Sequence, residues 1–322
     1  DVQRAIPSGA FSEYLEDQLT TDDLRDKFSK GVEIFDSKTS QYRKSALYSD
    51  WFMHARKAKE NASFEGLRDL YQVLILIARE EAKRQRSFDC FPLPSEVLED
   101  TDSKIQGAAE TFLHEDLKIP FYYGVDRLCV LATNNVEELL SIATALYEGM
   151  QAKQVLRTQL DPRLSPREQE SRIKEVTKRK HNFIPKNHSE GTRAQTLLDA
   201  IGSFCREKTF QLNAPYAPGV TGVRLRQAEL NMISADQTDI HESFASLRRV
   251  LAECVAENLL TTRKSSATTS RDSGTVFYLN RTLCVYHGLP LQYGGWQDVS
   301  AKTLIEWMER MPRPRQLSYS GM

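Results

Sequence analysis

Cysteine is scarce in this chain and badly spaced for cross-linking. Five are scattered over 322 residues (Cys90, Cys129, Cys205, Cys254, Cys284), and no two form a CxxC pair. An odd, dispersed set excludes a disulfide framework and a zinc knuckle, and fits a reducing cytoplasm. The short motifs of common active sites are missing too. There is no GxxxxGK[ST], GxGxxG, HExxH or GxSxG, so phosphate-loop, dinucleotide, metalloprotease and hydrolase sites lack their local signatures. Long apolar runs are absent. The stretch Val73 to Ala78 meets Arg79, Glu80 and Glu81 at once, far short of the ~20 residues of a membrane span. No secretory leader is readable, and no membrane partner is expected. Nor is there an excess of one charge: Lys plus Arg number 43 against 44 for Asp plus Glu. Any electrostatic recognition must therefore be local. The first residue, Asp1, is not Met, which suggests a chain processed, trimmed or cut from something longer.

What is present describes a folded protein. Apolar residues make up 40% and charged residues 27%, with a mean hydropathy of −0.50, and the length suits about two domains. The first hundred residues read as helices. Thr20 and Asp23 have capping-box spacing, and Leu47, Trp51, His54 and Ala58 recur at helical intervals. Leu67, Leu70, Tyr71, Leu74 and Ile77 form one stripe, and Arg79, Lys83, Arg84 and Arg86 crowd its end, as a helix dipole prefers. Phe91-Pro92-Leu93-Pro94 breaks it. A further helix runs from Ser103 through Leu113, then a loop at Ile119 to Gly124 and a short apolar run, Leu128 to Leu131. Thr133 or Asn134 is placed to cap the next helix, with Val136, Leu139, Leu140, Ala143 and Tyr147 on one face.

Residues 151–193 carry eleven basic and five acidic side chains, a local excess of +6. Ser165, Pro166 and Glu168 supply N-cap, N1 and N3 of a helix. With Ile173 and Val176 almost its only apolar residues, this helix should be largely solvated and mark a domain boundary. Beyond it, Ala194, Leu197, Leu198, Ile201 and Phe204 define another helix, leading into a loop from Asn213 to Val220. A helix from near Asp239 and Glu242 turns Phe244, Leu247, Leu251, Cys254 and Val255 inward and stops at Asn258. Leu259 to Arg263 and Val276 to Leu279 then look like strands joined by a polar loop closing at Asp272-Ser273-Gly274. Helices followed by a hairpin with a long polar tip make a winged-helix pattern.

The expected architecture is mainly α: a helical domain (1–102), a lid-like helical segment (103–150), a basic helical linker (151–193) and a winged-helix domain with a small hairpin (194–322). His181 and His188 read as ordinary surface histidines with no metal, and Cys205 and Cys254 as buried inert thiols. Winged helices place a helix in the major groove and a wing on the backbone. The helix before the hairpin sums to −1, from Arg248 and Arg249 against Glu242, Glu253 and Glu257, which disfavours phosphate. The candidate DNA contacts are therefore Arg263, Lys264 and Arg271 on the wing, with Lys178, Arg179 and Lys180 as a second surface. Tyr293, Trp296 and Trp307 are candidate anchors for a protein partner.

Several strings together carry a resemblance. Pro120-Phe121-Tyr122-Tyr123-Gly124-Val125-Asp126 and Leu131-Ala132-Thr133-Asn134-Asn135-Val136-Glu137-Glu138-Leu139-Leu140 resemble the end of the ATPase lid in bacterial AAA+ ATPases of the origin-recognition type, many of them associated with anti-phage defence. The run from Asn213 to Gly222, Tyr278-Leu279-Asn280-Arg281, Leu289-Pro290-Leu291 and Gly294-Gly295-Trp296 resemble the winged-helix part of the same proteins. Where that family's lid offers an arginine that senses the γ-phosphate, this chain has Glu137, which repels a triphosphate. The resemblance implies a non-catalytic C-terminal region or subunit of such an assembly, binding DNA, forming homo-oligomers or joining a partner subunit. ATP and Mg would enter only with an upstream ATPase core. A protein-interaction scaffold without nucleic-acid affinity is the alternative.

Overall fold

A computed structural model describes residues 11–84, 103–132, 135–156, 161–212, 218–234, 242–265 and 273–310. Two hydrophobic cores follow one another along the chain. The first is built by α1 (Thr21–Thr39), α2 (Ser49–Glu60), α3 (Phe64–Arg84) and α4 (Ser103–Leu117). The middle of α3 is buried on every side, from Leu70 to Ile77, because α1, α2 and α4 all pack on it. On α2 the inward face is Trp51, Ala55 and Ala58, while His54 is exposed, one position off the expected stripe. Helix α4 turns Ala108, Ala109, Phe112 and Leu113 into this core. It therefore packs with the preceding helices, and the change of core falls between Ile119 and Phe121, later than the expected division at 102. Lys118, at φ 54°, turns the chain there. The Phe91–Pro94 break lies outside the described residues.

The second core begins with α5 (Val125–Leu131), α6 (Val136–Leu156), α7 (Pro166–Asn187) and α8 (Gly191–Thr209). The expected run Leu128 to Leu131 is the end of α5. The cap of α6 is Asn135, one residue later than anticipated: its Oδ1 accepts from Glu137 N at 2.9 Å. Helix α7 has the capping box read from sequence, Ser165 N donating to Glu168 Oε2 at 2.9 Å. It is not a solvated linker, however. Pro166, Gln169, Ile173, Val176, Thr177, His181 and Ile184 are buried against α6, α8 and a later helix. Counting only aliphatic residues hid this face, since half of it is polar and satisfied by hydrogen bonds. Gln169, for instance, gives Nε2 to Glu16 O and Leu164 O at 2.7 and 2.8 Å.

The remainder runs β1 (Val220–Arg226), α9 (Gln227–Ser234), α10 (Glu242–Ala256), β2 (Leu260–Ser265), β3 (Gly274–Leu279), α11 (Arg281–His287), β4 (Gly295–Asp298) and α12 (Ala301–Glu309). The strands form one mixed sheet in the order β2-β3-β1-β4, with β4 parallel to β1. Both strands of the expected hairpin are present and antiparallel. β1, β4 and the short helices were not legible, because β1 and β4 start at or beside a glycine and helices of seven or eight residues are too short to show a stripe. Alternation along the strands puts Val223, Leu225, Leu260, Phe277 and Leu279 on one buried face against the helices. Gly222 faces Tyr278 across the sheet, where a Cβ would lie 2.7 Å from the ring.

Polar bonds around Tyr122 anchor the start of the second core. Its hydroxyl, fully buried, donates to Leu289 O at 2.7 Å, and Glu170 accepts from the backbone of Phe121 and Tyr122. Arg206 on α8 crosses to the first core, bonding His287 O at 2.9 Å and Glu115 on α4 at 2.5 Å. Removing the Tyr122 hydroxyl leaves a buried carbonyl unpaired, so Tyr122→Phe should cost about 1–3 kcal/mol. Urea unfolding measures this, and an unchanged midpoint would show that the bond contributes no net stability.

Candidate functional site

Glu137 is exposed on the first turn of α6. Its neighbour Glu138 points inward and is only 7% exposed. One oxygen of Glu138 accepts from Lys180 Nζ and, at 3.1 Å, from Asn280 Nδ2. Asn280 is itself fully buried. Its Oδ1 caps α11 through Thr282 N at 2.8 Å, and its amide also reaches Asn258 O at 2.8 Å. Asn258, at φ 53°, is the residue that turns α10 into β2. Thus α6, the basic helix α7 and the hairpin root meet at one carboxylate. A cleft of about 580 Å³ opens beside it, between α6 and α7.

The expected basic triad is divided by this geometry. Arg179 and Lys180 line the cleft, Lys180 paired with Glu138, while Lys178 is exposed on the outside. The wing residues fare differently. Neighbouring strand positions alternate in direction, so Arg263 and Lys264 leave β2 on opposite faces, both exposed. Arg263 lies 5.3 Å from the centroid of Tyr293, whose ring also takes Arg281 at 4.6 Å. Arg224 and Arg226 rise on the same outer face, share Asp298 at 2.5–3.1 Å, and Arg224 covers Trp296 at 5.9 Å. Tyr293 and Trp296 therefore sit together on a face rich in guanidinium groups, which neither motif nor periodicity announced. Arg271 lies outside the described residues.

On α10 the cation Arg249 is held by Glu190 and Glu242. Glu253 accepts from Ser189 and Glu190 of the α7–α8 turn at 2.7–2.8 Å; those bonds hold its carboxyl below the usual range although burial opposes them. So the end of this helix is docked onto its own protein. Trp307 is likewise unavailable: it is 9% exposed and packs on Phe204 at 5.2 Å. Its apolar stripe belongs to α12, and the indole is a core side chain, not a partner anchor. His181 also departs from expectation. It is 3% exposed, stacked on Tyr286 at 3.9 Å and bonded to Asp199 at 2.9 Å.

No cluster able to hold a metal occurs among the described residues, and no helix among them is long and apolar enough to cross a membrane. Burial pushes the thiols of Cys254 and Cys284 up to about 12 and Cys205 well above its ordinary value, so these sulfurs are protonated and unreactive at neutral pH.

Trp307→Ala should lose about 3–5 kcal/mol in urea unfolding, as core truncations do; a loss near zero would return Trp307 to the surface. The hydrogen bond from Arg224 holds the Asp298 carboxyl below the usual carboxylate range, against burial and with help from Arg226. A depressed folded value stabilises above the unfolded pKa of about 3.9 and is lost as pH falls through the folded one. Asp298→Asn should therefore melt lower than the wild type at pH 7, with the gap closing below about pH 4; a gap independent of pH would contradict the ion pair.

Comparison with known proteins agrees with the strings quoted from the lid and hairpin. The family model described as ORC-CDC6-like matches residues 10–295. No curated protein and no solved structure matches. The match takes in the helical cores, the cleft and the whole sheet as far as the start of β4, so this chain belongs to the ORC-CDC6-like family and is related to AAA+ ATPases of the origin-recognition type.

Proposed function

We propose that this chain is a non-catalytic part of an origin-recognition-type AAA+ assembly, in which α5 and α6 act as a lid and the segment from α8 to β3 is a winged helix that contacts duplex DNA through its wing. The observation that carries this reading is the β2–β3 hairpin. Near its root Leu260, Phe277 and Leu279 are buried, and towards its tip Arg263 and Lys264 are exposed. The order α8, β1, α9, α10, β2, β3, with β1 added to the hairpin, supports the winged-helix part. The commitment of Arg249 and Glu253 to intramolecular bonds favours wing over helix as the contact. Glu137, exposed where the family's arginine would sense phosphate, supports a lid that does not stabilise a nucleotide's γ-phosphate. ATP and Mg would belong to an ATPase core elsewhere in the assembly. The resemblance of these strings to bacterial proteins associated with anti-phage defence supports placing the assembly there.

On duplex DNA, every phosphate that a protein ceases to neutralise flattens the plot of log affinity against log salt by about 0.9. Replacing Arg263, Lys264 and Arg271 together with alanine should lower the slope by up to about 3 units. An unchanged slope removes the wing from the interface. No binding by the wild type at low salt would favour a protein-interaction scaffold.

A further inference from the structure

We propose that the cleft between α6 and α7 is a binding site for an aliphatic organic cation, an ammonium or guanidinium on an alkyl stem, with Glu138 as its principal ligand. This goes beyond the DNA reading and does not depend on it.

Three features converge. The first is Glu138 itself, more than nine-tenths buried and part of the cleft wall. Its Oε1 is engaged by Lys180 and Asn280, whereas Oε2, also buried, has no hydrogen-bond partner among the described residues. A buried carboxylate oxygen left unpaired is costly, and a donor brought to it recovers that loss. The second is charge. Glu137, Glu138, Glu148 and Glu257 line the cleft against only two permanent cations, Arg179 and Lys180. The cleft is thus net acidic although its α7 wall belongs to the most basic stretch of the chain, and it selects a cation rather than a phosphate. The third is shape. Ile142, Ala145, Val176 and Ile184 supply an apolar wall for a stem, and Phe183, 51% exposed, stands in the lining. That ring already accepts the Lys186 ammonium at 5.7 Å. A volume of about 580 Å³ is that of a small-molecule pocket. Because Asn280 caps α11 and holds Asn258 at the root of β2, an occupant would act on the corner that positions the hairpin.

Two sources supply this chemistry, a free diamine and an arginine side chain of a partner protein. Calorimetric titration of the whole chain with 1,4-diaminobutane and with N-acetyl-argininamide, against KCl at matched ionic strength, separates them. At least one probe should bind saturably and one to one; the tighter of the two names the source. Glu138→Gln should weaken that binding about tenfold or more, the loss of a charged hydrogen bond. Phe183→Ala and Glu257→Gln, both on exposed side chains, should each weaken it about two- to fivefold and serve if Glu138→Gln does not fold. Failure of both probes to bind at about ten millimolar, a Kd near the weak limit of specific recognition, heats reproduced by KCl, or affinities unmoved by these substitutions would overturn the proposal.

Discussion

The burial of Tyr122 organises the point where the chain passes from the first core into the second. Its ring lies in the second core while the chain just before it, through Ile119, belongs to the first, so the hydroxyl must find a partner inside the protein. It finds Leu289 O, 167 positions away, and the neighbouring backbone amides find Glu170 on α7. These bonds hold the start of α7 and the loop after α11 against residues 121–124. His114 closes the same knot, 2.7 Å from Ile119 O; burial depresses its basicity although Glu170 opposes the shift. The same helix α7 that meets this backbone through Glu170 carries Lys180, which joins Asn280 at Glu138 by the root of the hairpin.

That geometry separates two electrostatic surfaces which the near-zero net charge conceals. On the hairpin's outer face, arginines gather over Tyr293 and Trp296, with Asp298 the acid that pairs two of them. In the cleft, carboxylates outnumber cations although the α7 wall belongs to a strongly basic segment. The sum over 43 basic and 44 acidic residues says nothing of either. Helix α10, whose sequence position suggests a reading head, instead commits its charges to the α7–α8 turn.

What could be read from sequence follows from periodicity. The existence of long helices such as α3 and of the antiparallel pair β2–β3 is visible in the order of apolar residues, but α6 buries Ile142, Ala145, Leu146 and Met150, while Val136 and Leu140 of its expected stripe are exposed. The capping box at Ser165 is visible because its chemistry is local. The buried side of α7 was not, because Gln169, Thr177 and His181 are interior residues satisfied by partners distant in the chain. β4 needed β1 beside it to exist as a strand, a pairing across some seventy residues. Glu137 was singled out by resemblance alone, whereas the placement of Glu138 beside it depends on Lys180 and Asn280, which no local pattern links. Trp307 shows the converse: its residue type suggested an interface, and only the packing on Phe204 assigns it to the core.

The wing's contact with DNA is the central functional claim, and lysine reactivity tests it without any substitution. The chain would be acetylated briefly with and without saturating duplex DNA, and the modified sites quantified by mass spectrometry. Lys264, exposed at the end of β2, should be shielded by DNA, while Lys83, with 75% of its side chain exposed on α3, should react equally in both. Equal modification of Lys264 with and without bound DNA would contradict the account.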